Sequence, residues 1–98
     1  MPISKPNHRL TDLCTGHGCW PPRPLVTASP DVITNFLNQG RRTDLYAPHC
    51  CGPPCHIGEI VRGSQTVFTN FLDTARTGDP VDCGSRCGTH SPDVFTGD

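Results

Sequence analysis

Ser29–Asp44 reads SPDVITNFLNQGRRTD, and Ser64–Asp79 reads SQTVFTNFLDTARTGD. The two stretches align without a gap at an offset of 35 residues, and the chain ends on Ser91–Asp98, SPDVFTGD, which begins the same phrase again. N-F-L, the arginines at 41 and 76 and the aspartates at 44 and 79 fall in register. Repetition at a fixed offset decides architecture before any local signal does. Three units follow from it, the first lacking its start and the last cut short. Three units joined by irregular loops are too few for a long solenoid, so a closed or three-sided object is expected.

Each copy is rich in Val, Ile, Thr and Phe, which suit strands. Each then passes into Asn or Asp and small residues, which suit turns. The reading is a strand, a tight turn and a second short strand, a β-hairpin. No window keeps apolar residues at helical spacing over three turns, so the fold class is all-β with little or no helix. Between the copies lie residues 14–24 (CTGHGCWPPRP), 48–58 (PHCCGPPCHIG) and 83–91 (CGSRCGTHS). Pro and Gly interrupt any ladder there, so these are loops. They hold all seven cysteines and four of the five histidines; His8 lies outside, in a stretch read as a solvated N-terminal tail over residues 1–11. An Asp opens each loop (Asp12, Asp44, Asp79) and a Ser-x-x-Val element closes it (Ser29, Ser64, Ser91).

The bulk composition limits what can hold this together. Of 98 residues only 34% are hydrophobic and 6% aromatic, with eleven prolines and ten glycines. That length makes a single domain, and one this size buries only about 60–65% of its unfolded surface. Folds of this kind recruit disulfides, a metal or a partner. A net charge of −1 with no basic run gives nucleic acid nothing to bind. No stretch is apolar enough to span a bilayer, and MPISKPNHRLTDL lacks the apolar core of a signal peptide. The cysteines therefore first meet a reducing cytosol. Seven is odd, so complete internal pairing is impossible, and Cys beside His leans towards metal.

The chemistry of such a metal is structural on this sequence. Asp82 and Glu59 are the only carboxylates near the candidate ligands, and neither H-E-x-x-H nor a deaminase pattern occurs. A zinc ribbon needs C-x-x-C pairs, whereas the nearest spacings are Cys14–Cys19, Cys51–Cys55 and Cys83–Cys87. Each loop offers more than one ligand, so the residues alone leave the set open.

Ser-x-x-Val-x-x-Asn, then a small residue before Arg, then Gly-Asp, resembles the repeat of PAAR proteins, the pointed tips of type VI secretion spikes and of contractile-tailed phage central spikes. The resemblance runs from Asp12 almost to the end, with Ser91–Gly97 as the closing strand, and the opening loop is most like the short phage-type members. The naming tetrapeptide stands here as Asn38-Gln39-Gly40-Arg41 and Asp73-Thr74-Ala75-Arg76, without its proline. The Asn-Gly turn becomes Asn35-Phe36 and Asn70-Phe71, which is expected to shift the turn type.

The resemblance implies a small three-sided cone of β-hairpins with pseudo-threefold repeats and one structural zinc near its apex. Its base would dock, as a monomer, on the axis of a trimeric β-helical spike, VgrG-like or a phage central spike. Carried onto this chain, the zinc ligands are His17, His49, His56 and Cys83, with Cys14, Cys50 or Cys55 as alternatives to His56. Spare thiols would pack as small buried apolar groups, or pair as Cys14–Cys19, or as Cys50 or Cys51 with Cys87, after leaving the cytosol. Trp20 reads as an apolar cover, His90 as a surface residue, and Arg41 and Arg76 as partners of nearby aspartates or loop carbonyls. The implied role is a bare tip, without catalysis or a cargo domain, made in the bacterial cytoplasm. It would be carried at the tip of a phage baseplate or secreted by a type VI system, touching the target membrane transiently. The alternative is a small zinc-binding adaptor that recruits an effector.

Overall fold

The computed structural model describes residues 4–98. Among them there is no helix, and every strand is two residues long. The strands are β1 (Lys5–Pro6), β2 (Ile33–Thr34), β3 (Leu37–Asn38), β4 (His49–Cys50), β5 (Cys55–His56), β6 (Phe68–Thr69), β7 (Leu72–Asp73) and β8 (Phe95–Thr96). They pair antiparallel as β2–β3, β4–β5, β6–β7 and β1–β8.

Register explains the truncated repeats. Ile33 faces Asn38 and Thr34 faces Leu37; Phe68 faces Asp73 and Thr69 faces Leu72. Phe95 faces Pro6 and Thr96 faces Lys5 in the same way. Lys5–Arg9 therefore stands where Leu37–Arg41 and Leu72–Arg76 stand. The start missing from the first unit completes the last, and the two ends of the chain form the third hairpin. Residues 5–11 thus belong to the repeat and do not trail as a tail; the first three residues of that stretch lie outside the described ones.

The hairpin turns also differ from expectation. Asn35 and Phe36 have φ of 53° and 68°, and Asn70 and Phe71 have 52° and 68°. Positive φ at both central residues is the type I′ geometry that Asn-Gly would adopt. Losing the glycine has left the turn type unchanged and forced a phenylalanine into the left-handed region.

Each unit then locks itself in the same two ways. The hydroxyls of Ser29, Ser64 and Ser91 accept hydrogen bonds from the amides of Val32, Val67 and Val94 at 2.9, 3.0 and 2.8 Å, which is what Ser-x-x-Val is for. Arg9, Arg41 and Arg76 each close a four-residue turn onto Asp12, Asp44 and Asp79. The backbone amide and Nε reach one carboxylate oxygen, and Nη2 reaches the other. Thr11, Thr43 and Gly78 take φ of 73°, 79° and 85° to make these turns. The Arg76–Asp79 pair is the most buried, with side chains 5% and 4% exposed. Arginine's fork suits this two-oxygen grip. Burial opposes the charge on Asp12, yet the bonds from Arg9 and Thr89 outweigh it and hold its carboxyl below the ordinary value.

The three units meet on an axis. The His8 amide donates to Ala75 O, Ala75 to Gly40 O and Gly40 to His8 O, at 3.1, 3.0 and 2.9 Å, so the bonds run in a circle. The Gln39 amide nitrogen then donates to all three of those residues' carbonyls. Gly40 has no room for a side chain: a Cβ there would lie 2.8 Å from His8 O and 2.9 Å from a Leu25 methyl.

Beyond this triangle the chain forms a second closed ring. Leu13 pairs Pro24, Leu25 pairs Tyr46, Leu45 pairs Glu59, Ile60 pairs Val81, Pro80 pairs Arg86, and Cys87 pairs Cys14. Six two-residue segments thus close on themselves. Alternate residues of a strand point to opposite sides, so each segment sends one residue inward: Cys14, Leu25, Tyr46, Ile60, Val81 and Cys87. With Ala75, these six are the buried core.

His8 also points into this core, fully buried, and so is not solvated. Its Nδ1–H donates to Thr89 O and its Nε2 accepts from the Tyr46 hydroxyl, both at 2.8 Å. The hydroxyl lies 3.3 Å from the Cys87 sulfur, whose thiol burial pushes up to about 12.

Burial holds the His8 imidazole below its ordinary value of 6.5, and the Thr89 bond only partly offsets this. Its folded-state proton affinity is below that of the unfolded chain, so its contribution to stability is full above about pH 6.5 and declines as pH falls towards the folded value. In an NMR titration the folded-state midpoint of His8 is expected to fall below 6.5, with the neutral Nδ1–H form persisting to lower pH than in the unfolded chain. A midpoint at or above 6.5 would contradict the burial argument.

Candidate metal centre

The three Cys- and His-bearing loops extend from the six-segment ring. In the first, Gly16 and Gly18 have positive φ, and a tight turn returns the chain so that His17 and Trp20 pair through both backbone bonds. In the second, β4 and β5 place His49 directly opposite His56 and Cys50 directly opposite Cys55. Alternation then sends the histidine pair to one face and the cysteine pair to the other. In the third, Gly84, at φ 94°, turns the chain between Val81 and Ser85 and presents Cys83.

His17, His49, His56 and Cys83 converge, with one ligand atom from each and all four within 4.8 Å of one another. His49 is buried and the other three are half-buried. His49 Nδ1–H donates to Pro21 O at 2.8 Å, so its Nε2 carries a bare lone pair. That Nε2 faces His56 Nε2 at 2.5 Å, and His17 Nε2 lies 3.4 Å from His56 Nε2. Burial, then the His49 and His17 rings, hold His56 below its ordinary value. Lone pairs aimed at one point repel unless a cation sits among them. The 3.4 Å edge matches the roughly 3.3 Å between nitrogens of a tetrahedral zinc with bonds of about 2.0–2.1 Å; the 2.5 Å edge is shorter, and an ion would need it wider. The Pro21 carbonyl is the outer partner that orients a ligating histidine. These four side chains can hold a metal ion.

Trp20 covers the cluster. Its ring lies 4.2 Å from that of His56, 5.4 Å from His49 and 5.7 Å from His17. His90 is exposed. Of the alternative ligands, Cys14 is in the core ring, and Cys50 and Cys55 are bonded to each other.

The disulfides differ from the pairings first expected. Cys19 is joined to Cys51 and Cys50 to Cys55, while Cys14, Cys83 and Cys87 are free. Cys14 and Cys87 are committed to the core, so Cys19 pairs across to the neighbouring loop. Residues missed by the sequence reading are Arg9, Asn7 and His8. The signal for Arg9 was available: Arg-x-x-Asp occurs at Arg9–Asp12 with the spacing of Arg41–Asp44 and Arg76–Asp79.

A family model described as PAAR motif matches residues 5–88. The chain belongs to the PAAR-motif family. Its members serve as spike tips or adaptors in contractile injection systems, and the all-β body with three hairpins is their small cone. The match begins at Lys5, where the third hairpin begins. The naming tetrapeptide therefore has a third version here, Pro6-Asn7-His8-Arg9, which keeps the proline. All three versions keep the arginine, which makes the buried fork. A comparison with curated proteins finds no significant match.

Trp20 is the only tryptophan in the chain, so its emission reports on the site. Titrating zinc into chelated protein should change that emission with saturation near one equivalent. Cys83→Ser should weaken the affinity at least about tenfold, since even an outer-sphere change costs that much. Unchanged affinity in Cys83→Ser would remove Cys83 from the site.

Proposed function

We propose that this chain is the structural tip of a contractile injection spike: a cone stapled by one zinc ion and seated by its hairpins on the blunt end of a trimeric β-helical spike. The ligands are His17, His49, His56 and Cys83, and the closed set leaves no position open for catalysis. A structural zinc contributes folding free energy on the order of 10–16 kcal/mol in small peptides. That suits loops in which the described residues pack little apolar material.

The observation that carries the docking surface is where the phenylalanines lie. The chain has four, and all are exposed: Phe36 98%, Phe71 99%, Phe68 56% and Phe95 55%. Ile33, at 53%, takes on the β2–β3 hairpin the place that Phe68 and Phe95 take on the other two. Val32, Val67 and Val94 repeat in the same way at 40%, 44% and 36%. Large apolar side chains left exposed at equivalent positions on three hairpins fit an interaction surface. Three equivalent edges suit a three-chain partner. Phe36 and Phe71 are, in addition, held at positive φ, which costs a non-glycine residue roughly 1–2 kcal/mol. Strain kept in fully exposed side chains points to use.

On this reading the partner is VgrG-like or a phage central spike, and the tip helps to pierce the target envelope. The chain is made in the bacterial cytoplasm and carried on a virion baseplate or secreted by a type VI system. The two loop disulfides form after it leaves the reducing compartment.

Phe36→Gly and Phe71→Gly separate the two uses of these residues. Each should raise folding stability by up to about 1 kcal/mol, because the turn strain is relieved while glycine's backbone entropy partly offsets it. Together they should weaken capture by the spike trimer at least tenfold, with bound zinc unchanged. Undiminished capture would sink the docking surface.

A further inference from the structure

The repeats are unequal at one corner, and the inequality is chemical. Thr27 and Thr89 occupy equivalent positions two residues before Ser29 and Ser91. Each does the same two things. The Thr27 hydroxyl donates to Asp44 and accepts from the Leu45 amide. The Thr89 hydroxyl donates to Asp12 and accepts from the Leu13 amide. At the third corner the equivalent residue is Arg62, two before Ser64, and the residue after Asp79 is Pro80, which has no amide hydrogen to offer. Both halves of the threonine bridge are absent together. Arg62 is exposed, and a cavity of about 310 Å³ opens beside it.

Basic side chains line this cavity. Lys5, Arg62, Arg76 and Arg86 all border it, four of the eight Lys and Arg in the chain. The carboxylates that border it, Asp79 and Asp98, are both bound to Arg76. Among the described residues no carboxylate lies within ion-pair distance of Lys5, Arg62 or Arg86. Arg86 is steadied by a bond from Nη1 to the Gly78 carbonyl at 3.0 Å. The neighbouring glycine is constrained too: a Cβ on Gly63 would lie 2.5 Å from Thr74 O, so the backbone packs against the hairpin and the arginine turns outward.

We propose that this corner is an oxyanion site that takes a phosphate group. Three cations held in no direct ion pair, two of them guanidinium forks, suit a multiply charged oxyanion better than a single carboxylate, although the Asp98 charge is also felt at Lys5. The site shares no residue with the metal cluster, and it takes Lys5 and Asp98 from the open end of the terminal hairpin. A phosphate could come from solution or from a lipid headgroup, and the same chemistry recognises both.

The test uses zinc-loaded full-length protein and inorganic phosphate, followed by amide shifts in heteronuclear NMR. Phosphate should perturb Arg62, Gly63, Gly78 and Arg86 in a saturable way, and acetate at the same ionic strength should bind more weakly. Arg62→Thr restores the threonine of the other two corners, so it should fold at least as well and bind phosphate at least tenfold more weakly. Lys5→Gln gives a second variant that leaves the corner's backbone bonds intact, and it should also weaken binding.

Phosphatidylglycerol and phosphatidylcholine vesicles distinguish the source. Arg62-dependent sedimentation with the anionic vesicles assigns a headgroup, and binding of inorganic phosphate alone assigns a soluble ligand. No saturable shift with phosphate and no Arg62-dependent sedimentation would overturn the proposal. So would an Arg62→Thr variant that binds as tightly as the original.

Discussion

Three backbone hydrogen bonds that run in a circle, from His8 to Ala75 to Gly40 and back, are the constraint on which the rest depends. They join the three repeats at one point, and they exist only because Lys5–Arg9 enters the ring as the third strand end. Everything nearby serves that junction. Gln39 fills the axis and gives its amide hydrogens to the three carbonyls. Asn7 and Thr34 in turn donate to the Gln39 oxygen. The arginine forks close the same four-residue turn in each of the three segments. A hub this polar works because its members are satisfied: among the described residues no buried side-chain nitrogen or oxygen lacks a partner.

Outward from the hub the apolar content falls to one layer, six inward residues from six paired segments together with Ala75. Past that layer the loops have no core of their own. Cross-links take its place: Cys19–Cys51 ties the first loop to the second, Cys50–Cys55 closes the second on itself, and the His and Cys cluster adds the third. The body narrows accordingly, from three hairpins to four ligand atoms within 4.8 Å. Its extents are 42 × 29 × 23 Å. All four phenylalanines lie on the surface and add nothing to this core.

Much of this was legible in the sequence. The offset copies gave the hairpins, and Cys and His confined to loops gave the cluster. The mirror order His49-Cys50 and Cys55-His56 about Gly-Pro-Pro matches the two cross-strand pairs, although only the structure shows their register. What was illegible has physical reasons. The third hairpin is split between the two ends of the chain, so no contiguous stretch contains it, and Lys5-Pro6 has no strand character of its own. His8 looks polar in isolation; it is buried because Tyr46 and Thr89, distant in sequence, meet both ring nitrogens. Disulfide partners depend on which thiols the core has already claimed. Phe at the second turn position reads as a changed turn, yet pairing of the flanking residues imposes type I′ geometry on it.

The closure of the ring through the chain ends is tested most directly by native-state hydrogen exchange. The amides of Asn7, His8 and Ser91 bond across the terminal junction to Val94, Ala75 and Asn7. They should exchange only through global unfolding, with the same protection as the amides of Gln39, Thr74 and Ala75, whose bonds stay within the continuous repeats. If the terminal amides exchange through local fraying while the internal ones stay protected, the ends do not complete the third unit, and the threefold account fails.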